Sequence, residues 1–277
     1  MNFRKIVLAS AAAAVFAGLL TGCGSSSSGG QAASKAEKTE ITVGITPGSS
    51  DQIMEVVAKE AAKQGLTVHP KVFSDYITPD QALANGDIDL NAFQHQPFLD
   101  AFNEKNGTKL VSIGKTYLAP LGLYSKKYRD VKDIPDGATI AIPNDPSNGG
   151  RALLLLQREG WIKLKPDVPS TKVTPQDVVE NTKNLKIIEL EAAQLPRSLD
   201  DTDASVINAG YAISAGLNSQ KDAIAVEDNT SPYVNIIAAR PEDINNPAYQ
   251  KFVKIFQSEE VKKYINDTFA GALVPVW

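Results

Sequence analysis

Cysteine, histidine and an excess of basic charge are what this 277-residue sequence lacks, and each shortage removes a class of chemistry. With Cys23 as its one cysteine, the chain has no internal disulfide and no CxxC metal or redox pair. Neither of its two histidines, His69 and His95, has a second ligand at helical spacing that makes a convincing zinc site. No HExxH, GxSxG elbow or Walker GxxxxGKS/T is present. Asp87-x-Asp89-x-Asn91 imitates the start of a calcium loop, but Ala92 stands where the glycine belongs and Phe98 where the bidentate glutamate belongs. Lysine and arginine number 28 against 32 acids, for a net charge of −4, so no basic stripe is available to neutralise a nucleic-acid backbone. Beyond the N-terminus no apolar run approaches the roughly 20 residues that cross a bilayer. The sequence nominates no catalytic residue, no metal and no cofactor, and reads as a non-enzyme.

What is present begins with an export signal. Arg4 and Lys5 form a positive n-region ahead of the apolar run Ile6 to Leu20, which is short for a membrane span but suits a signal-peptide core. Leu20-Thr21-Gly22-Cys23 resembles a lipobox, in which the cysteine sulfur receives a diacylglyceryl group. The plainer alternative is a secretory signal with an incidental cysteine, yet an exported protein gains little from a spare exposed thiol. Residues 1–22 are therefore expected to be a lipoprotein signal peptide and Cys23 the lipidation site. Two acyl chains give stable anchoring, at about 0.8 kcal/mol per buried CH₂. Residues 23–39, rich in Ser, Gly and Ala, cannot bury enough surface to offset their ordering entropy and are expected to act as a flexible linker. The expected location is the extracytoplasmic face of the cell membrane, reached through the lipid alone.

From Ile41 onward short β-branched runs alternate with amphipathic helices, the pattern of an α/β fold. Strands are predicted at Ile41–Ile45, Leu66–Phe73, Ile88–Phe93 and Leu110–Tyr117, then at Ala138–Ile142, Leu185–Leu190, Ala204–Ile207 and Tyr233–Ala239. Helices fill most of the gaps, including Asn148–Glu159 after an Asn/Gly-rich loop, while Leu164 to Asn181 reads as a polar loop with a short helix at Pro175. No internal sequence repeat is visible. Two lobes are the economical solution: residues 40–125 with 232–277, and residues 126–231. The chain is expected to cross between them at Leu121–Ser125 and Asn229–Val234.

Open α/β sheets place ligands at the carboxyl ends of their strands. Phe93 and His95 follow one predicted strand, and Asn208 follows another. The loop Asn144 to Arg151 opens a helix whose free N–H groups and positive dipole end suit an anion. Arg151 in that first turn adds a planar fork matched to a carboxylate, and Asn235 lies in the crossover strand. One arginine, several amides and aromatics suit a zwitterion with an apolar tail. Each residue also has a structural alternative. His95 fits a surface or core position, Tyr76 and Phe93 fit core packing, Arg151 can cap its own loop, and either asparagine can satisfy a turn.

Four stretches carry a resemblance. Asn85-Gly-Asp-Ile-Asp-Leu-Asn-Ala-Phe-Gln-His-Gln-Pro-Phe98, Ile142-Pro-Asn-Asp-Pro-Ser-Asn-Gly-Gly-Arg151, Ile207-Asn-Ala-Gly-Tyr-Ala and Ser231-Pro-Tyr-Val-Asn-Ile-Ile are similar to the methionine-binding lipoproteins of ABC importers, from about Ile41 to Trp277. The resemblance implies a two-lobed type II periplasmic-binding-protein fold, with a parallel-rich sheet in each lobe and a ligand cleft between them. It implies a monomer that delivers methionine (L- or D-), or a methionine-containing dipeptide, to a permease and its ATPase. Carried over, Arg151 would grip the carboxylate, Asn208 and Asn235 would hold the ammonium and carboxylate, and Tyr76, Phe93 and His95 would line the thioether pocket. Two alternatives stay open: a surface lipoprotein with the same fold in a structural or adhesive role, and a lipid-anchored hydrolase.

Overall fold

The computed structural model describes residues 38–228 and 232–277, so the expected signal peptide, Cys23 and most of the linker lie outside the described residues. The first lobe opens with β1 (Glu40–Ile45), α1 (Ser49–Lys63), β2 (Thr67–Val72), α2 (Thr78–Asn85), β3 (Leu90–Asn91), α3 (Gln96–Asn106) and β4 (Val111–Leu118). The second lobe holds β5 (Gly122–Tyr124), β6 (Thr139–Pro143), α4 (Pro146–Arg158), β7 (Ile162–Leu164), β8 (Val178–Asn181), β9 (Lys186–Leu190), α5 (Leu195–Ser198), β10 (Ala204–Ile207), α6 (Ala209–Ser214) and β11 (Ala223–Val226). The chain then returns to the first lobe with β12 (Val234–Ala239), α7 (Pro247–Phe256), α8 (Glu259–Phe269) and β13 (Val274–Pro275).

Each lobe is built on a mixed sheet. The first runs β2-β1-β3-β12-β4-β13 and the second β9-β6-β10-β5-β11. In both, three parallel strands come first, in the order second, first, third. The antiparallel strand by which the chain enters from the other lobe follows, β12 in one and β5 in the other. This is the two-lobed arrangement that the resemblance implies, and it repeats a topology without repeating a sequence.

Apolar spacing explains why the helices dock. In α1, Ile53, Val57 and Ala61 recur every fourth residue and are buried against β1 residues Ile41 and Val43, with Phe252, Phe256 and Val261 from the closing helices completing that core. In the second lobe, Leu153 and Leu156 of α4 pack with Ile140 and Val206 of the sheet. Among the described residues no helix is long and apolar enough to cross a membrane.

The structure departs from the sequence expectations at several points. Residues 121–125 were expected within the first lobe, but Gly122–Tyr124 pairs with β10 and β11 in the second sheet. Leu121 and Leu123 are buried in the second core, which fixes them there. The strand expected at Ile88–Phe93 shortens to Leu90–Asn91, because Phe93 leaves the ladder to face the cleft. Within the stretch expected to be a loop, β7 and β8 form an antiparallel pair. Strands β11 and β13 have no counterpart in the sequence reading; β13 is two residues long and carries Pro275, which suits an edge. Helix α4 begins at Pro146 with Asp145 as its cap, so Arg151 lies in its second turn rather than its first.

Candidate functional site

The carboxyl ends of the parallel strands of both sheets converge on one small cavity. All six expected residues, Tyr76, Phe93, His95, Arg151, Asn208 and Asn235, line it. Their polar atoms are fixed by a network that starts from one carboxylate.

Asp145, the cap of α4, accepts the Asn148 N–H at 2.9 Å, the Ser147 hydroxyl at 2.9 Å, and the Asn148 Nδ2 on both of its oxygens at 3.0 Å. Both Asp145 oxygens act as acceptors in these contacts, so Asn148 turns its Nδ2 toward Asp145 and its Oδ1 away. That Oδ1 then receives Asn208 Nδ2 at 2.9 Å and lies 3.0 Å from His95 Nε2. Because His95 Nδ1 accepts the Phe98 N–H at 3.1 Å, capping α3, the proton sits on Nε2 and is donated to Asn148. Burial and the Arg151 charge lower the His95 pKa to about 3, so the ring is neutral. Both of its nitrogens are committed inside the protein. Burial raises the Asp145 pKa, and the hydrogen bonds from Asn148 and Ser147 oppose that rise.

This chain of donors leaves Asn208 Oδ1 buried, on the cavity wall, with no hydrogen-bond partner among the described residues. Arg151 presents the complementary group. Its Nε donates to both Glu227 oxygens at 2.8 Å, and its Nη2 donates to Ala119 O at 2.9 Å and to Glu227 Oε2. The guanidinium lies over the Tyr233 ring at 4.6 Å. Nη1 donates to no described residue. The anion site expected at the start of α4 is already filled by Asp145. The corresponding end of α1 carries Gly48 with no side-chain cap, and Ser49 and Ser50 there line the cavity.

Asn235 reaches the cavity through an irregularity. The β12 register shifts between Val234 and Ile236, and a bulge of this kind re-aims a side chain. Its Nδ2 donates to Phe93 O at 3.3 Å. Ring contacts run from Tyr76, which stacks on Phe93 at 5.7 Å, through Phe98 and His95 to Tyr233 beneath Arg151. The cavity thus grades from an aromatic end to a polar, charged one.

Sequence reasoning missed Asn148, the hub of the network, and Glu227, the partner of Arg151. Asn148 lies in a motif already singled out, and its spacing of three from Asp145 is the capping signal that could have marked it. Glu227 carries no local signal, because the fold brings it across 76 positions of chain. No three His, Cys, Asp or Glu side chains among the described residues are arranged to hold a metal ion.

The NlpA lipoprotein family model matches residues 41–277, nearly all of the folded chain. This chain belongs to the NlpA lipoprotein family. The NlpA relative described as the D-methionine-binding lipoprotein MetQ of Salmonella typhi is 46% identical over 280 residues, with both chains covered in full. Among solved structures, a nutrient-binding protein from Burkholderia cenocepacia bound to methionine is 50% identical, with a TM-score of 0.83 over 86% of this chain and 100% of that one. A crystal structure of the methionine-binding protein MetQ is 48% identical, with a TM-score of 0.84 over 87% of this chain and 99% of that one. These NlpA-type neighbours are two-lobed substrate-binding proteins, and this chain shares their fold.

Proposed function

We propose that this protein is a lipid-anchored substrate-binding protein that takes methionine into the cleft between its lobes and delivers it to an ABC permease and its ATPase. The observation that carries the reading is one pair of complementary groups in one cavity: Arg151 Nη1, a donor with no described partner, and Asn208 Oδ1, a buried acceptor with none. A buried acceptor left unpaired costs about 1–3 kcal/mol, and a ligand ammonium relieves that cost. A carboxylate on Nη1, assisted by the open start of α1, completes the recognition of an α-amino acid. The aromatic end favours a thioether, since sulfur beside ring edges gains about 0.3–1.5 kcal/mol per contact. The names of the relatives point the same way. The chain leaves the first sheet after Leu118 and returns to it at Val234, and these two crossings, the second partly outside the described residues, are the hinge in this reading. Cys23 supplies the anchor, on the extracytoplasmic face of the membrane.

The test is calorimetric titration of ligand-free protein with L-methionine, D-methionine, a methionine-containing dipeptide, glutamate and lysine. Methionine in at least one of the first three forms should bind. If glutamate or lysine binds as well as any methionine form, the thioether pocket is wrongly assigned and the reading fails.

A further inference from the structure

Glu227 follows the last strand of the second sheet, where the chain turns back toward the first lobe. Its carboxylate takes Arg151 Nε on both oxygens at 2.8 Å, takes Nη2, and accepts the Leu121 N–H at 3.2 Å. Its own N–H donates to Leu121 O at 2.9 Å, so backbone and side chain are both fastened at the crossing. The Arg151 side chain is 3% exposed and that of Glu227 is 15% exposed, so solvent screens their pairing little. Arg151 therefore faces the cavity as half of an ion pair. His95 adds no charge to that wall, and the Asp145 carboxylate lies behind Asn148. The described side chains that line the cavity or pair with those lining it carry no net positive charge.

The charge balance bears on selection. An isolated guanidinium in a water-poor cavity attracts a net anion most strongly. A guanidinium already neutralised gives a monoanion little advantage, while a zwitterion meets Arg151 Nη1 with its carboxylate and Asn208 Oδ1 with its ammonium. We infer that Glu227 is a specificity-determining residue: acting through Arg151, it balances the cavity for a net-neutral amino acid and against a carboxylate that lacks an ammonium group. This rests on the methionine reading above and names the device by which that site would distinguish the amino acid from its deaminated analogue.

The experiment compares methionine with 4-(methylthio)butanoate, which keeps the carboxylate and thioether and lacks the amino group. Wild-type protein should prefer methionine by about 10- to 150-fold, the range expected for one charge-assisted hydrogen bond. In Glu227→Gln the preference should shrink by roughly tenfold, because the unbalanced Arg151 now attracts the monoanion and repels the ammonium. Glu227→Asp keeps the charge and should keep the preference, even if both ligands bind more weakly. A purely positional role predicts a different outcome, with both variants losing affinity for both ligands and the ratio unchanged. That result overturns the inference. Should Glu227→Gln not fold, wild type still decides: binding of 4-(methylthio)butanoate within about threefold of methionine overturns it too. Wild type that binds no form of methionine overturns the parent reading instead, and the inference with it.

Discussion

The two lobes have one strand order and opposite chemistry where they face each other. In each, the first parallel strand feeds a long helix whose start points at the cleft: β1 into α1, and β6 into α4. The start of α4 is closed by Asp145, whose carboxylate takes the Asn148 N–H and then orients Asn148, His95 and Asn208 in turn. The start of α1 is left open, with Gly48 at the cap position. Gly48 has φ +101°, and a Cβ there would lie 2.0 Å from Gly210 O on the second lobe. One helix start has become a scaffold for amides, and the other a bare surface for close approach. The buried carboxylates differ in the same way. Asp145 receives donors on both oxygens, whereas Asp80 of α2 accepts Asn91 Nδ2 at 2.8 Å and Gln94 Nε2 at 2.5 Å on Oδ1 alone. Asp80 Oδ2 has no partner among the described residues. Duplicated topology thus fixes where side chains meet, and the sequence in each copy is free to decide what they do.

The largest break in this comparison comes from Arg151→Ala. It removes the guanidinium that faces the ligand and takes from the Glu227 carboxylate the arginine it pairs with. Methionine affinity should fall about 10- to 150-fold for the charge-assisted bond alone. Removing one partner of a buried pair costs about 3–5 kcal/mol, and the partial exposure of Glu227 puts this variant at or below the low end. Calorimetric titration and ligand-free melting should therefore both change. Unchanged affinity removes Arg151 from the site, and unchanged melting removes the structural weight of its ion pair.

Asp80→Asn tests the poorly satisfied carboxylate of the first lobe. Burial raises the Asp80 pKa from 3.8 to about 7, against the hydrogen bonds from Gln94 and Asn91. The folded state therefore holds a proton that the unfolded chain releases between pH 3.8 and about 7. Stability from this group is present at low pH and is lost as pH rises through that window. The asparagine does not titrate, so the variant should gain on wild type by about 3–5 kcal/mol between pH 4 and pH 8. Denaturant unfolding across that range checks it; parallel pH profiles would mean that Asp80 is not perturbed.

Gly48→Ala tests the close approach between the lobes. Strain at positive φ and the meeting with Gly210 O together should oppose the closed state by about 1–3 kcal/mol, or roughly 5- to 150-fold in ligand affinity. If closure about the hinge is what methionine drives, small-angle scattering should show wild type contracting with ligand and the variant contracting less. Equal contraction and equal affinity would mean that the approach is soft.

Parts of this architecture were legible from local pattern and parts were not. Helix α1 could be read from Ile53, Val57 and Ala61, because its spacing and its burial agree. The stretch Gly122–Tyr124 looked like a connection because three residues carry no period; its pairing with β10 and β11 is a tertiary fact. At the site, residues near strand ends could be found by the topology rule, and Arg151 by its side-chain chemistry. Glu227 could not, since what pairs it with Arg151 is the return of the chain at the crossing. The state of His95 was also beyond the sequence, because it depends on the Phe98 N–H and on an amide whose orientation is set by Asp145.

That last dependence gives the smallest and sharpest prediction. With Nδ1 accepting from Phe98 and Nε2–H given to Asn148, His95 offers the cavity only the face and edge of a neutral ring. Norleucine keeps the length and shape of methionine and forfeits only the sulfur–ring contact of about 0.3–1.5 kcal/mol, so it should bind at most about tenfold more weakly. Methionine sulfoxide adds a strong acceptor at the same place, and with no imidazole N–H free to meet it the cost is about 1–3 kcal/mol. The sulfur–ring contact puts norleucine below methionine, and the tautomer puts the sulfoxide below norleucine. A charged or reoriented His95 would donate to the sulfoxide oxygen and reverse the last two. Competition of both analogues against labelled methionine at pH 7 separates the cases: sulfoxide binding better than norleucine would mean that the Asp145–Asn148–His95 chain does not hold the proton where its geometry puts it.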